Sequence, residues 1–321
     1  MRIFCKGSHF FVPLTPSKVL SFENKKEKSF FFLYSAHLLD KFLLLDKINS
    51  LLCSHLTEIF VPLCPMRIAI LNLMPLKEVT ERDFLRIFGS MPHPVEIHWM
   101  RLRSHVPKHT SAEHMDALYE YFDELSEVPD GLIVTGAPVE QLDFEQVTYW
   151  PELCAIFDWA RRSVKSTIYV CWAAQAGLYH HFGVPKYALP SKKFGIFRQK
   201  LLVEGPLFDG FGRELMMPHS RHTEIRRDDI LACSELTLAV DSNETGPSIV
   251  TARDGREIFI TGHWEYATDT LDTEYRRDMQ KGRTDVGLPL NYYPNDNPQN
   301  PPVDTWHEAT LQFYRNWLER L

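Results

Sequence analysis

Short apolar, often β-branched runs alternate along the chain with longer stretches whose apolar positions recur at helical spacing. The apolar runs predict strands at residues 67–73, 95–102, 131–135, 166–170 and 257–261. Helical spacing predicts helices at residues 80–89, 111–125, 150–162, 172–182 and 306–321, with shorter strands and loops across 186–256. Apolar strands that alternate with helices are typical of a parallel sheet covered on both faces. We therefore predict an α/β fold, a doubly wound and mostly parallel sheet with flanking helices.

The first 65 residues differ in texture from the rest of the chain. They contain clustered Phe, Leu and Lys and end in a proline-bounded break before Met66. We interpret residues 1–65 as an N-terminal extension without a catalytic role, and residues 66–321 as the catalytic domain. The Phe- and Leu-rich stretch at 30–52 is interrupted by charges such as Asp40 that would be costly in a bilayer core, so no membrane span is predicted.

The composition is that of an ordinary soluble protein. The 321 residues carry a formal net charge of −7 with a pI near 6.1, without the excess of Lys and Arg that binding a phosphate backbone requires. Nucleic acid is therefore not expected as a partner. The six cysteines lack the spacings of zinc sites or disulfide scaffolds, and no secretory cleavage pattern is found. We expect reduced thiols and a cytoplasmic location.

The adjacent histidines His180 and His181 fall near the end of a predicted helix. They have no partner at i+4 spacing and no nearby cysteine set, so we interpret them as a helix-end feature and predict no metal site. A glycine-rich loop that could cradle phosphates is also missing from the sequence.

Two positions at the ends of predicted strands carry candidate chemistry. Cys171 comes where an apolar strand gives way to a helix, so its side chain is expected at a helix N-terminus that favours a thiolate. His263 and Glu265 follow a later strand with the spacing that lets a carboxylate orient an imidazole. A lone cysteine at a strand end is more often a small buried side chain, and a lone His-x-Glu is more often a surface pair. Their joint placement at the carboxyl ends of parallel strands favours one catalytic site.

Several motifs in the same order resemble the homoserine O-acyltransferase family of methionine biosynthesis. They are residues 70–75 (ILNLMP), 134–138 (VTGAP), 170–175 (VCWAAQ), 218–221 (PHSR), 261–266 (TGHWEY) and 291–294 (NYYP). The resemblance spans residues 66–321 and implies a flavodoxin-like fold similar to class I glutamine amidotransferases, and a homodimer. It also implies that Cys171 takes an acyl group from acyl-CoA as a thioester. His263 would then be the general base and Glu265 its orienting carboxylate, with the backbone amides of Ala137 and Trp172 as oxyanion donors.

The same resemblance implies a substrate site. Lys192, Ser220 and Arg277 fall on the binding Lys, Ser and Arg of the family. A guanidinium suits a carboxylate, so Arg277 is expected to anchor homoserine. The alternative is that Lys192 and Arg277 are solvated charges and that Ser220 is a turn residue. No bound cofactor is expected, and acetyl-CoA is the expected co-substrate.

Glu140 bears on the choice of acyl group. Where the family has Gly at this position there is room for succinyl, and where it has Glu the acetyl donor is preferred. A carboxylate beside the acyl pocket would fill space and repel the charged end of a succinyl chain. Acetyl is therefore the expected group and succinyl the alternative, unless Glu140 points to water.

Three other functions stay open. A glutamine amidotransferase would use the same triad to release ammonia, but Trp172 and the NLMP and HSR motifs belong to the acyltransferases. A binding module of the same fold would leave Cys171 unreactive. Serine could replace homoserine as acceptor, because a pocket rejects a substrate that is one methylene shorter only modestly.

Overall fold

The computed structural model describes residues 65–283 and 286–321, which form one ten-stranded sheet with helices packed on it. The strands are β1 Met66–Leu71, β2 Val95–Arg101, β3 Tyr119–Tyr121, β4 Gly131–Val134, β5 Ser166–Val170, β6 Tyr187–Leu201, β7 Glu214–Glu224, β8 Leu236–Ser242, β9 Gly246–Ala252 and β10 Glu257–Ile260. The helices are α1 Lys77–Phe88, α2 Ala112–Leu118, α3 Trp150–Ser163, α4 Trp172–Phe182, α5 Arg227–Leu231, α6 Thr270–Gln280 and α7 His307–Leu318. Short 3-10 turns lie at Phe144–Gln146, Pro206–Phe208 and Pro294–Asp296.

The strand order is β3-β2-β1-β4-β5-β10-β9-β8-β6-β7. From β3 to β10 every neighbouring pair is parallel, and from β10 to β7 every pair is antiparallel. Because all parallel strands end at the same edge, the loops after β1, β4, β5 and β10 meet there. The direction of winding reverses between β1 and β4, and ligands bind beside such a reversal in open α/β sheets.

Two hydrophobic cores lie on the two faces of the sheet. One contains side chains from α1, α2, α6 and α7, including Phe84 and Trp317, and the other contains side chains from α3, α4 and α5, including Phe157. The prediction of a doubly wound, mostly parallel sheet with flanking helices is therefore confirmed. None of the helices in the described part of the chain has the length and apolar composition needed to cross a membrane. The predictions made for residues 1–64 lie outside the described residues.

Two local expectations were wrong, and one helix was missed. The helix predicted at 111–125 ends at Leu118, because residues 119–121 pair with β2 as a strand. The hydroxyl of Tyr119 is hydrogen-bonded to Asn72 and Glu81. The region 186–256 contains the two longest strands, β6 and β7, rather than short ones. Many residues of β6 and β7 are exposed or half-buried, so the alternation of apolar and polar residues along them is weak. The helix α6 was not predicted.

Gly131 opens β4 directly against the buried indole of Trp317. A Cβ at this position would lie 2.6 Å from two ring carbons of Trp317 and 3.0 Å from the Cδ1 atom of Ile68. Neither neighbour can move freely, because both are fully buried. Only glycine leaves β4 in its register beside α7.

We expect Gly131→Ala to lower the free energy of unfolding by about 1–3 kcal/mol, because an added methyl group overpacks a dense core. Urea denaturation monitored by tryptophan fluorescence measures the change. Gly212→Ala is the matched control, since a Cβ at Gly212 would meet no atom within 4 Å, and it should change stability by less than about 0.5 kcal/mol. Equal effects of the two substitutions would contradict the packing argument.

The helix α1 buries a carboxyl group, Asp83, which is only 5% exposed. Burial and the nearby charge of Glu265 raise the pKa of Asp83 to about 7, against the smaller opposing effects of Arg86 and Arg82. The folded protein therefore retains a proton that the unfolded chain has released, between about pH 4 and pH 7.

It follows that the contribution of Asp83 to stability falls as the pH rises through this range, by about 1.4 kcal/mol per pH unit at most. Asp83→Asn keeps the neutral form at every pH, so the variant should gain stability relative to the unsubstituted protein between pH 4.5 and pH 7.5. Urea denaturation at both pH values tests this. Asp272→Asn is the control, because the hydrogen-bonded ion pair with Arg276 lowers the pKa of Asp272. The difference in the free energy of unfolding between this variant and the unsubstituted protein should therefore be the same at both pH values. A constant difference for Asp83→Asn as well would show that the group is ionised in the folded protein at both pH values.

Candidate active site

Cys171 lies at the sharp turn between β5 and α4. Its backbone adopts φ 52° and ψ −113°, a conformation that costs an L-residue about 1–3 kcal/mol. Neighbouring structure holds it there, since its N–H donates to the carbonyl of Ile260 at 2.7 Å. The turn projects the side chain beyond the carboxyl edge of the sheet and places it at the N-terminus of α4. The position predicted from the sequence is therefore the observed one.

The helix that follows Cys171 approaches the sheet closely at Gly177, where a Cβ would lie 2.9 Å from a ring carbon of Phe259. It is also tied to β7 through Gln175, whose amide nitrogen donates to the carbonyl of Thr223 at 3.2 Å. The hydroxyl of Thr223 donates back to the oxygen of Gln175 at 2.7 Å. These two bonds fix the orientation of α4, and with it the direction in which Cys171 points.

His263 lies in the loop after β10 and reaches the cysteine. Its N–H donates to the carbonyl of Pro218 at 2.8 Å, which holds the loop against β7. Its Nδ1 atom lies 2.6 Å from a carboxylate oxygen of Glu265, and its side chain is also hydrogen-bonded to Cys171. A carboxylate only accepts, so Nδ1 carries the proton and Nε2 is the ring nitrogen left for the sulfur.

The charges around His263 favour its protonated form. Burial by itself lowers the pKa of the imidazole, but the charges of Cys171 and Glu265 and the hydrogen bonds to both of them outweigh this effect. The pKa of His263 therefore lies well above its ordinary value. A sulfur beside an imidazolium is the arrangement that makes a cysteine nucleophilic near neutral pH.

The loop after β4 closes the other side of the cysteine at Gly136. A Cβ at this position would lie 3.3 Å from the Cβ of Cys171 and 3.6 Å from Cε1 of His263. Glycine here lets the backbone that leads to Ala137 pass beside both side chains. Trp172 is the first residue of α4, so its N–H has no acceptor within the helix.

A guanidinium group holds the backbone of the loop that carries Glu265. The guanidinium of Arg86 donates to the carbonyl oxygens of Glu265 and Tyr266, at 3.0 and 3.2 Å. The ring of Tyr266 stacks on that of His263 with centroids 4.1 Å apart. Sequence reasoning missed Arg86 and Tyr266, although Tyr266 closes one of the recognised motifs.

The segment that resembles the family's His-Ser-Arg motif lies on β7 and divides between two faces. His219 and Arg221 are buried in the interior, where burial lowers the pKa of Arg221 to about 10 although the charge of Cys171 opposes the shift. Burial and the charge of Arg221 hold the pKa of His219 well below its ordinary value. Ser220, between them, points to the opposite face because side chains alternate along a strand.

The three predicted substrate residues meet at one carboxylate, that of Glu274 on α6. The Nζ atom of Lys192 lies 2.7 Å from Glu274, and the hydroxyl of Ser220 donates to both of its oxygens at 2.9 Å. A guanidinium nitrogen of Arg277 lies 3.7 Å from the same group. Residues from β6, β7 and α6 are thus brought together. Sequence reasoning missed Glu274, although its i,i+3 spacing from Arg277 could have indicated that the two side chains share a helix face.

Glu140 lies half-buried in the loop that follows Gly136. The ammonium group of Lys186 anchors this loop by donating to the carbonyl oxygens of Glu140 and Leu142, at 2.6 and 2.7 Å. Glu140 therefore belongs to the same loop as the glycine that touches the cysteine.

Outside this site, the adjacent histidines meet a carboxylate that the sequence did not reveal. His180 lies 2.8 Å from Asp158, and potential ligand atoms of His180, His181 and Asp158 all lie within 4.8 Å of one another. Burial, with a smaller effect of neighbouring charges, lowers the pKa of His181 to about 3. The hydroxyl of Tyr169 lies 3.4 Å from the Nε2 atom of His181. The pair thus has a polar partner on α3, although its interpretation as a helix-end feature stays a prediction.

Known structures share the fold of this chain. A glutamine amidotransferase from Thermotoga maritima matches 80% of this chain and 98% of its own length, with a TM-score of 0.53 and 12% identity. A glutamine amido transferase from Methylobacillus flagellatus matches 80% of this chain and 95% of its own, with a TM-score of 0.51 and 16% identity. At such identities the likeness is one of fold, and it confirms the amidotransferase-like architecture.

Sequence comparisons are more specific. A homoserine O-acetyltransferase of Bacteroides fragilis (strain YCH46) is 54% identical over 256 residues, which cover 79% of this chain and 84% of that protein. A homoserine O-acetyltransferase of Brevibacillus brevis is 51% identical over 256 residues, which cover 79% of this chain and 83% of that one. The sequence model of the family described as homoserine O-succinyltransferase matches residues 58–321. Since both comparisons span most of the chain, it belongs to the homoserine O-acyltransferase family that its motifs predicted.

Proposed function

We propose that this protein transfers an acetyl group from acetyl-CoA to the hydroxyl of L-homoserine through a thioester on Cys171. The observation that carries the proposal is the buried, hydrogen-bonded chain from Cys171 through His263 to Glu265. The relatives named homoserine O-acetyltransferase, at 51% and 54% identity, support the choice of reaction. The reaction is a step of methionine biosynthesis and needs no prosthetic group or metal.

In the first half-reaction the thiolate of Cys171 attacks the thioester carbon of acetyl-CoA. The oxyanion that forms is held by the backbone N–H groups of Ala137, in the loop after β4, and of Trp172, the first residue of α4. Collapse of this intermediate breaks the bond to the coenzyme sulfur, which leaves with the proton of the His263 imidazolium. The products are free coenzyme A and an acetylated cysteine beside a neutral imidazole.

In the second half-reaction the hydroxyl of homoserine attacks the acetyl carbon. The neutral imidazole of His263 takes the hydroxyl proton through Nε2, while Glu265 stabilises the imidazolium that forms. Collapse of the second intermediate breaks the bond to Cys171. O-acetylhomoserine leaves, and the thiolate and imidazolium are restored, so the pair is ready for another acetyl-CoA.

We assign substrate recognition to Lys192, Ser220 and Arg277, the cluster that meets at Glu274. The side chain of Arg277 is 45% exposed, so it can reach a ligand and bind the homoserine carboxylate through two parallel hydrogen bonds. Lys192 and Ser220 complete the pocket. Glu140 sets the acyl group, because its carboxylate repels the charged end of a succinyl chain. A homodimer and a cytoplasmic location stay predictions.

We expect the protein alone, mixed with acetyl-CoA, to gain the mass of one acetyl group in intact mass spectrometry, and to lose it when homoserine is added. Cys171→Ala and Cys171→Ser should form no adduct and should lower transfer at least about 1000-fold, because neither a methyl group nor a hydroxyl that stays protonated near neutral pH replaces the thiolate nucleophile.

Cys154→Ser is the matched control for this experiment. Cys154 is a free cysteine whose pKa is raised to about 11 by burial, so the variant should keep both adduct and activity. An adduct that persists in Cys171→Ala would refute the thioester. Release of glutamate from glutamine by the unsubstituted protein would instead support an amidotransferase.

We expect Glu140→Gly to raise kcat/KM for succinyl-CoA relative to acetyl-CoA about tenfold or more, because the substitution removes both a negative charge and bulk from the acyl pocket. Paired assays with the two donors and homoserine measure the ratio. Glu113→Gln removes an exposed carboxylate from α2 and should leave the ratio unchanged. A preference for succinyl-CoA in the unsubstituted protein would overturn the assignment of acetyl.

A further inference from the structure

Three side chains that can bind a metal ion lie together outside the active site, on the face of the sheet that α3 and α4 cover. They are Asp158 on α3 and the adjacent histidines His180 and His181 in the last turn of α4. One potential ligand atom of each residue lies within 4.8 Å of those of the other two. Among the residues that the structure describes, this is the one set of three or more such side chains that comes so close.

The third member of this set comes from a different helix than the histidines. Asp158 precedes His180 by 22 positions, and the packing of α3 against α4 brings its carboxylate to 2.8 Å from the Nε2 atom of His180. Two imidazoles and a carboxylate offer nitrogen and oxygen ligands of the kind that zinc and other divalent transition-metal ions accept. The fold therefore supplies the ligand that the pair of histidines lacks in the sequence.

Aromatic neighbours hold both imidazole rings in place. The ring of His180 lies edge-on to that of Trp150, with centroids 6.2 Å apart, and the ring of His181 lies 6.1 Å from that of Phe157. The hydroxyl of the fully buried Tyr169 lies 3.4 Å from the Nε2 atom of His181. A hydrogen-bonding partner of this kind orients a metal-binding imidazole. The two rings are thus positioned before an ion arrives.

The set is open to an ion from the solvent. The side chain of Asp158 is 48% exposed and that of His180 is 21% exposed, so the carboxylate can rotate toward an ion that enters. The charges of Arg161 and Arg253 reach this region. Both side chains pair with the buried carboxylate of Glu257, at 3.3 and 3.5 Å, and this offsets their repulsion of a further cation.

We infer that Asp158, His180 and His181 bind one divalent transition-metal ion such as Zn²⁺, with water in the remaining coordination position. The ion joins the last turn of α4 to α3. Because α4 begins at Cys171, the ion supports the helix that presents the nucleophile, and it takes no part in the transfer of the acyl group. This inference goes beyond the proposed function and does not depend on it.

Zinc binding to the Cys171→Ser protein tests the inference, since this substitution removes an active-site thiolate that would itself bind zinc. Isothermal titration calorimetry measures the number of ions bound and their Kd. We expect Asp158→Asn and His180→Asn, each in the Cys171→Ser protein, to bind one ion fewer or to bind it at least about 100-fold more weakly. Asp158→Glu keeps a carboxylate and should restore part of the affinity. The difference between proteins is decisive, because other thiols and imidazoles of the chain also bind zinc.

Two further substitutions distinguish a metal site from an ordinary pair of histidine and carboxylate. Tyr169→Phe removes only the hydroxyl beside His181 and should weaken zinc binding about tenfold. His98→Asn is the matched control and should leave zinc binding unchanged. His98 is 20% exposed and lies 3.3 Å from Glu120 and 3.5 Å from Glu96, but these carboxylates face different nitrogens of its ring.

Hydrogen exchange shows whether the bound ion joins the two helices. Zinc should slow amide exchange in the last turn of α4 and in the part of α3 around Asp158, and Asp158→Asn should remove this protection. Zinc binding of the same stoichiometry and affinity in the Asp158, His180 and Tyr169 variants as in the Cys171→Ser protein would overturn the inference. Binding that depends on Asp158 but protects neither helix would overturn the link between them.

Discussion

The buried contact between His263 and Glu265 is the interaction on which the proposed chemistry depends. Their 2.6 Å hydrogen bond lies where both side chains are nearly excluded from water, so the imidazole has one orientation and one nitrogen free to face Cys171. Ionised groups buried in this way are costly unless they are paired. Here the imidazole of His263 pairs with the sulfur of Cys171 on one side and with the carboxylate of Glu265 on the other.

The surrounding protein fixes the geometry of these three groups. Cys171 remains in an unfavourable backbone conformation because the carbonyl of Ile260 fixes its N–H, and Gln175 fixes the helix behind it. Arg86 holds the carbonyls of the loop that carries Glu265. The buried guanidinium of Arg221 adds positive charge, and a negative sulfur at Cys171 interacts favourably with it. Strain and buried charge of this kind persist only when many neighbours determine the same geometry.

The parallel half of the sheet and its antiparallel half contribute different parts of the site. The strands β5 and β10 deliver the cysteine and the histidine, in an architecture that glutamine amidotransferases share as a fold. The antiparallel strands β6 and β7 deliver Lys192 and Ser220, and α6 delivers Arg277. The nucleophile therefore stands on a widespread framework, whereas the cluster around Glu274 is built from the antiparallel half of the sheet and α6.

The sequence by itself determined the parallel core and the positions of Cys171, His263 and Glu265, because buried strands are continuous apolar runs and each functional residue follows one directly. It did not determine the length of β6 and β7, whose many exposed side chains dilute the alternating pattern, or the end of α2, which the pairing of β3 with β2 decides. The convergence of Lys192, Ser220 and Arg277 on Glu274 was also beyond it. Lys192 and Ser220 lie far from Glu274 along the chain, and only the crossing of three elements in the folded protein brings all three side chains within 4 Å of its carboxylate.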